Sequence, residues 1–309
     1  MHMNQASYSI TEADRSILLA LGRFHYLTAA QASRLLYPKL DDDQRYMQRR
    51  LKRLVDNDYA LRLRALPMPR YGQAPHVFSL GREGRTYLQQ LGFSVEPYFR
   101  PSEERRATEN RPFMTHRLAA IDVMIAADRL CAENPSITCP RLLSERELKR
   151  NALRVQVPSV AGGEVRDVAV IPDAWFQFSY RNRSPYSIAL ELDRSTEDQK
   201  VWRQKVAAYG VWAAGPYMEA FETDNVTIAV ACMDSNRVAQ LIEWTMRELT
   251  ARGSQEYAEL FLFTAASPVA APERFFLDQV WVQADTGEAV SLVDFPPASG
   301  GSGVVFQSA

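Results

Sequence analysis

Between Val165 and Trp212 the chain runs apolar and aromatic, breaks, runs apolar again and then changes period, and this one segment limits the folds open to it. Val168 to Tyr180, rich in β-branched and aromatic residues, reads as a strand. Arg181-Asn182-Arg183-Ser184-Pro185 turns the chain, and Tyr186 to Leu192 is strand-like again. Ser195 or Thr196 then caps a helix running to about Trp212. Beyond it come a buried strand, Val226 to Met233, an amphipathic helix, Asn236 to Ala251, ended by Gly253, and a strand, Leu260 to Thr264. Strands alternating with helices predict an α/β layer structure: a mixed sheet flanked by helices, with Pro272 to Val293 as an edge hairpin.

The same segment carries the candidate chemistry. Asp173 stands near the head of the first run, and Glu191 and Asp193 sit two apart on the second, on one face of a strand. If the runs pair as a hairpin, three carboxylates converge on an otherwise apolar sheet. Converged carboxylates repel unless a cation or a proton lies among them, and hard oxygen ligands suit Mg2+ or Mn2+. Asp173, Glu191 and Asp193 are therefore the expected metal ligands. Lys205 and Tyr209, four apart, share a helix face, and the amine would orient a water or steady a developing phosphate charge. The plainer reading is that acidic residues often end strands and that Asp193-Arg194-Ser195-Thr196 is only a helix entry.

This arrangement is similar to the PD-(D/E)XK nuclease core, in which an Asp on one strand and a Glu-x-Lys on the next bind metal. Here the third position is Asp193, not lysine. The resemblance implies that Lys205 takes the lysine's role from the following helix, as in some branches. Lys205-x-x-x-Tyr209 then resembles the Gln-x-x-x-Tyr helix motif, with Lys in place of Gln. It also implies a glutamate from the helix before the core strands. The short helix in Ser144-Glu145-Arg146-Glu147-Leu148 offers Glu145 or Glu147, for which a surface ion pair is the other reading.

Ahead of this domain the chain reads differently. Thr11-x-x-Asp14 caps a helix from Glu12 to about Leu21, and Thr28 caps a second from Ala29 to Leu36. A third spans about Gln44 to Asn57, with Met47, Leu51, Leu54 and Val55 on one face and Arg45, Gln48, Arg49 and Lys52 on the other, flanked by Arg50 and Arg53. Two strands follow, Leu61 to Leu66 and His76 to Leu80, around a turn containing Arg70, and a last helix, Arg82 to Leu91, ends at Gly92. Three helices and a hairpin make a winged helix-turn-helix. Its third helix would enter the major groove of double-stranded DNA, where Arg45, Arg49, Lys52 and Arg53 meet phosphates and guanine edges, Gln44 and Gln48 meet adenine, and Arg70 touches the backbone or minor groove from the wing. The competing reading is a solvated helix face on a dimerisation module.

Charge supports this division. Residues 1–92 hold 14 Lys and Arg against eight Asp and Glu, an excess of about six, whereas the whole chain has a formal net of −1. The remainder is thus acidic by about seven, and the two parts suit different partners. The expected boundaries are 1–92 for the winged helix, 93–112 for a Pro-rich linker, 113–295 for the nuclease-like domain and 296–309 for a flexible tail. Three scattered cysteines and four histidines show neither a disulfide framework nor metal-ligand spacing. No apolar run reaches the roughly 20 residues that span a bilayer, and no signal pattern opens the chain, so a cytoplasmic location and no membrane partner are expected.

In their order, the motifs resemble the replication-relaxation family of bacterial mobile-element and plasmid proteins. The matching residues are Tyr26-Leu27-Thr28-Ala29-Ala30-Gln31, Arg50-Leu51-Lys52-Arg53-Leu54, Val77-Phe78-Ser79-Leu80 with Gly84, His116, Ser144 to Leu148, Pro172-Asp173-Ala174, Leu190 to Thr196, and Lys205-x-x-x-Tyr209. The resemblance covers roughly residues 10–215. It implies a winged-helix DNA-binding module joined to a nuclease-like domain that acts in replication or relaxation of plasmid DNA. Two functions stay open: a Mg2+- or Mn2+-dependent endonuclease or nickase, and a non-enzymatic DNA-binding regulator whose degenerate nuclease fold serves homodimerisation or another protein partner.

Overall fold

The computed structural model describes residues 8–38, 44–63, 75–95, 111–160, 162–181, 184–195 and 198–295. Arg70, most of the expected 93–112 linker and the tail from 296 lie outside them. The chain divides into two compact units, Met1–Asn134 with Leu142–Leu148, and Pro135–Arg141 with Lys149–Ala309. No described helix is long and apolar enough to cross a membrane.

The first unit begins with α1 (Glu12–Phe24), β1 (Leu27–Thr28), α2 (Ala29–Leu36) and α3 (Gln44–Asp56). Strands β2 (Ala60–Leu63) and β3 (Val77–Leu80) and helix α4 (Arg82–Gln90) follow. Both expected caps are reciprocal capping boxes: Thr11 with Asp14, and Thr28 with Gln31. The three strands form one antiparallel sheet in the order β1-β3-β2. Ile17, Leu18, Leu21, Met47, Leu51 and Leu54 close the core beneath it. A Cβ on Gly84 would lie 2.2 Å from the carbonyl oxygen of Tyr59, so only glycine lets α4 lie this close to the segment entering β2.

Helix α5 (Arg111–Glu133) belongs to this first unit, although its residues from 113 were expected with the second domain. Polar contacts fix it there. Gln31 donates to the Leu118 carbonyl at 2.8 Å and to Asp122 at 3.0 Å, Arg34 pairs with Asp122, and Arg23 grips Asp128 through two bonds of 2.6 and 2.9 Å. Burial pushes both aspartates up from the usual carboxylate range, against the pull of their arginines.

The second unit is an α/β layer structure. Its mixed sheet has the order β12-β11-β10-β9-β8-β7-β4, built from β4 (Ile137–Ser144), β7 (Ala174–Tyr180), β8 (Tyr186–Asp193), β9 (Thr227–Cys232), β10 (Phe261–Thr264), β11 (Trp281–Gln283) and β12 (Ala289–Val290). β7 and β8 are antiparallel, while β8, β9 and β10 run parallel. Parallel neighbours need crossovers, supplied by α7 (Gln199–Ala213) with α8 (Pro216–Phe221), and by α9 (Ser235–Arg252). Helix α6 (Glu145–Arg150), which falls mostly to the first unit, follows β4, and α10 (Pro272–Leu277) precedes β11. Both faces of β7 are covered, which explains its unbroken apolar run. Trp175 stacks on Phe221 with centroids 3.9 Å apart, while Phe176 and Phe178 meet Phe276 on the other face.

Three local expectations change. The run from Val168 to Tyr180 is not one strand: it splits at Ile171-Pro172-Asp173 into β6 (Val165–Val170) and β7. β6 pairs with β5 (Leu153–Pro158), which periodicity did not reveal, in a separate antiparallel hairpin packed on α7. Asp198 caps α7 in place of Ser195 or Thr196, accepting from the Val201 amide at 2.8 Å, and Ser195 instead takes a left-handed φ of 59°. The edge segment from Pro272 holds a helix before its short β11–β12 pair.

Candidate functional site

The register of β7 on β8 places Ala174 against Leu190, which leads Asp173 towards Glu191. The Glu191 carboxylate points to the face that α7 covers. The Asp173 amide donates to the Leu190 carbonyl at 2.8 Å, and its carboxylate accepts from the Leu192 amide at 2.8 Å. Pro172, which has no N–H, ends the preceding strand and permits this turn.

Glu191 is 3 % exposed. Its two oxygens are held from one helix face: Lys205 Nζ lies 2.8 Å from Oε2, and the Tyr209 hydroxyl donates to Oε1 at 2.5 Å. One turn of α7 separates these partners, so the helix presents an amine and a phenol together. Burial raises the Glu191 pKa to about 7; the Lys205 ammonium opposes this, and the negative charge of Asp173 adds to it. Asp173, Glu191, Lys205 and Tyr209 are thus one electrostatic cluster.

Asp193 does not join it. Its oxygens take two bonds from Arg237 of α9, Nε at 2.5 Å and Nη2 at 2.9 Å, and one accepts from the Ser195 amide at 3.0 Å. The expected convergence of three carboxylates is therefore not assembled: one of the three is committed to a buried guanidinium. Among the described residues no group of three or more His, Cys, Asp or Glu side chains is placed to hold a metal ion. Glu145 belongs to the first unit, where it pairs with Arg117 at 3.4 Å. Glu147 accepts from the Ser144 amide and hydroxyl, both at 2.7 Å, and so caps α6.

The cluster opens into a cleft of about 700 Å³ between the β5–β6 hairpin and α7, with Glu191, Lys205 and Tyr209 among its lining. The far wall is anchored by an ion network that the sequence did not signal. Glu248 of α9 accepts from Arg203 at 2.6 Å and Arg252 at 2.7 Å, and Arg252 also donates to the Pro158 carbonyl at 2.8 Å. This ties the hairpin end to α9 and sets the width of the cleft.

In the first unit, α3 exposes Arg45, Gln48, Arg49, Lys52 and Arg53, while Gln44 is half-buried. Arg50 turns inward to Asp14 at 2.9 Å. Arg53 lies over the Tyr8 ring, 5.4 Å from its centroid, and Lys52 pairs with Asp56. The basic face is thus exposed, and one cation at its edge is structural.

No curated protein sequence matches the chain. The sequence model of the family described as Replication-relaxation matches residues 18–223, about two thirds of the 309. The match takes in α3, Asp173, Glu191, Lys205 and Tyr209, and ends before Arg237 and Glu248. With more than half its length in that match, the chain belongs to the replication-relaxation family.

Proposed function

We propose that this protein binds double-stranded DNA through α3 and cuts or nicks DNA in its second unit, as part of the replication or relaxation of plasmid or mobile-element DNA. The observation that carries the second half is Glu191 in the wall of a cleft, with Lys205 at 2.8 Å and the charge of Asp173 acting on it. A strand pair bearing these acids, followed by a helix bearing the lysine and tyrosine, resembles the order in those PD-(D/E)XK branches whose lysine sits on the following helix.

The fit to a metal divides among the residues. Asp173 and Glu191 offer hard oxygens side by side, and their mutual repulsion is the imbalance that a cation relieves. Asp193 does not fit, because Arg237 occupies both its oxygens. Mg2+ or Mn2+ bound at the first two would supply a polarised water and charge neutralisation at the phosphate. Within the chain, Tyr209 fixes the rotamer of Glu191, and Lys205 holds a positive charge where an attacking water or a phosphate oxygen would sit. With Mg2+ or Mn2+, the wild type is expected to nick supercoiled plasmid, and Asp173→Ala and Glu191→Ala to retain a tenth of that rate or less. An intact plasmid with all three proteins would overturn the nuclease reading.

A second reading has its own support. Glu191 and Asp193 both have their oxygens satisfied by side chains of the same chain. Such a closed network also suits a catalytically silent regulator whose nuclease-type fold serves dimerisation or partner binding.

For the first unit, the exposed arginines and lysine of α3 match the winged-helix geometry, in which that helix lies in the major groove. Arg49→Ala with Lys52→Ala should weaken duplex binding and reduce the salt slope of log Kd by about two, roughly one per lost phosphate contact. A gel-shift titration with unchanged affinity and slope would remove this assignment.

A further inference from the structure

The β5–β6 cleft does not have the walls of a duplex groove. Its lining is mainly aliphatic: Val157 and Val168 from the hairpin and Ala207 and Ala208 from α7 bracket the interior. Val160 and Val201, also lining it, are 57 % and 42 % exposed. Exposed valines at a cleft lining are apolar surface left uncovered by the described residues. A duplex presents phosphates outward and keeps its base faces stacked, so it has nothing to lay against such a wall.

The charged part of the lining is mostly cationic. Arg166, Lys200, Arg203, Lys205 and Arg252 face two acids, Glu191 and Glu248, in a chain whose overall net charge is −1. An aliphatic slot with a local excess of positive charge fits a flat heteroaromatic body that carries an anion. The volume of about 700 Å³ falls within the range of roughly 300–1,000 Å³ usual for small-ligand sites. The Arg203–Glu248–Arg252 network and the bond to the Pro158 carbonyl hold the slot open without a ligand.

We infer that this cleft seats a single unpaired nucleotide, its base between the hairpin valines and α7 and its phosphate beside Lys200, Arg203 and Lys205. The inference rests on the reading of the second unit as acting on DNA, and makes unpaired DNA, not intact duplex, the form presented to Glu191 and Lys205. Enclosure by aliphatic walls replaces aromatic stacking, because Tyr209 is only 2 % exposed and is committed to Glu191.

The test uses the full chain carrying Arg49→Ala and Lys52→Ala, which weakens duplex binding by α3, in EDTA so that no cutting occurs. Fluorescence anisotropy with a short labelled single strand should show at least tenfold tighter binding than with its blunt duplex. Val168→Trp, which fills the slot, should weaken single-strand binding tenfold or more. Val201→Glu, at an exposed position, should do the same and serves if the tryptophan variant does not fold. Displacement of the strand by a free deoxynucleoside monophosphate would support a seat for the nucleotide alone. Loss of strand binding in the variants without such displacement would support a nucleotide held within a strand. Equal affinity for single strand and duplex, single-strand affinity unmoved by either variant, or tighter binding of an apolar peptide would overturn the inference. These outcomes are separate from the nuclease reading: plasmid nicking without single-strand preference sinks only this inference, and single-strand binding without nicking sinks only the other.

Discussion

Asp193→Ala should cost about 3–5 kcal/mol of stability, the usual loss when one partner of a buried ion pair is removed and the other is stranded. Arg237 is 9 % exposed and delivers two bonds to Asp193, which is itself 2 % exposed. The same carboxylate also holds the Ser195 amide at the left-handed turn after β8, so the approach to α7 loosens as well. Urea unfolding gives the measurement, with Arg237→Met and the double variant closing the cycle. The double variant should recover most of the loss, since an apolar replacement of the pair leaves no charge buried alone. A cost below about 1 kcal/mol for Asp193→Ala would instead be the behaviour of an exposed ligand with no structural partner.

Glu191 should make the protein lose stability as pH rises. Burial, with Asp173 adding to it, places the folded pKa at about 7, above the 4.5 of an unperturbed glutamate. Below pH 4.5 both the folded and the unfolded chain carry the proton, and the contribution is fully present. Between 4.5 and 7 the unfolded chain releases the proton while the folded chain keeps it, so stability falls through this window. The loss is on the order of 3 kcal/mol, from 1.36 kcal/mol per pKa unit. Glu191→Gln cannot ionise. The stability of wild type minus that of Glu191→Gln should therefore drop by this order between pH 4.5 and pH 7.5. Asp122 and Asp128, also raised, cancel in that difference. A flat difference would show that Lys205 holds the carboxylate charged throughout.

What could be read from the sequence was local or periodic. Thr11 and Thr28 each sit three residues before their capping partners, so the helix starts were legible. The basic face of α3 follows from 3.6 periodicity, and Glu191, Lys205 and Tyr209 meet because a strand and the next helix fix their spacing. The errors are non-local. Arg237 lies 44 residues after Asp193, and no spacing rule links them. The β5–β6 hairpin was hidden because Val168 to Tyr180 reads as one apolar run across Pro172, although its two halves lie in different sheets. α5 was assigned to the wrong neighbour because its anchors, Asp122 and Asp128, are polar residues whose partners lie some 90 to 105 positions earlier.

The placement of α5 decides where the first unit can be cut loose. A fragment ending near residue 95 would strip Gln31, Arg34 and Arg23 of the acids they hold and lay bare the side of α2 that α5 shields. Stopping at residue 134 restores those partners, yet still leaves out Leu142–Leu148, and with it the Glu145 that Arg117 meets. A stand-alone first unit therefore has to carry α5 and run through α6. A truncation chosen from the Pro-rich stretch alone would produce a sticky, half-folded piece, whose weak grip on DNA would say nothing about α3.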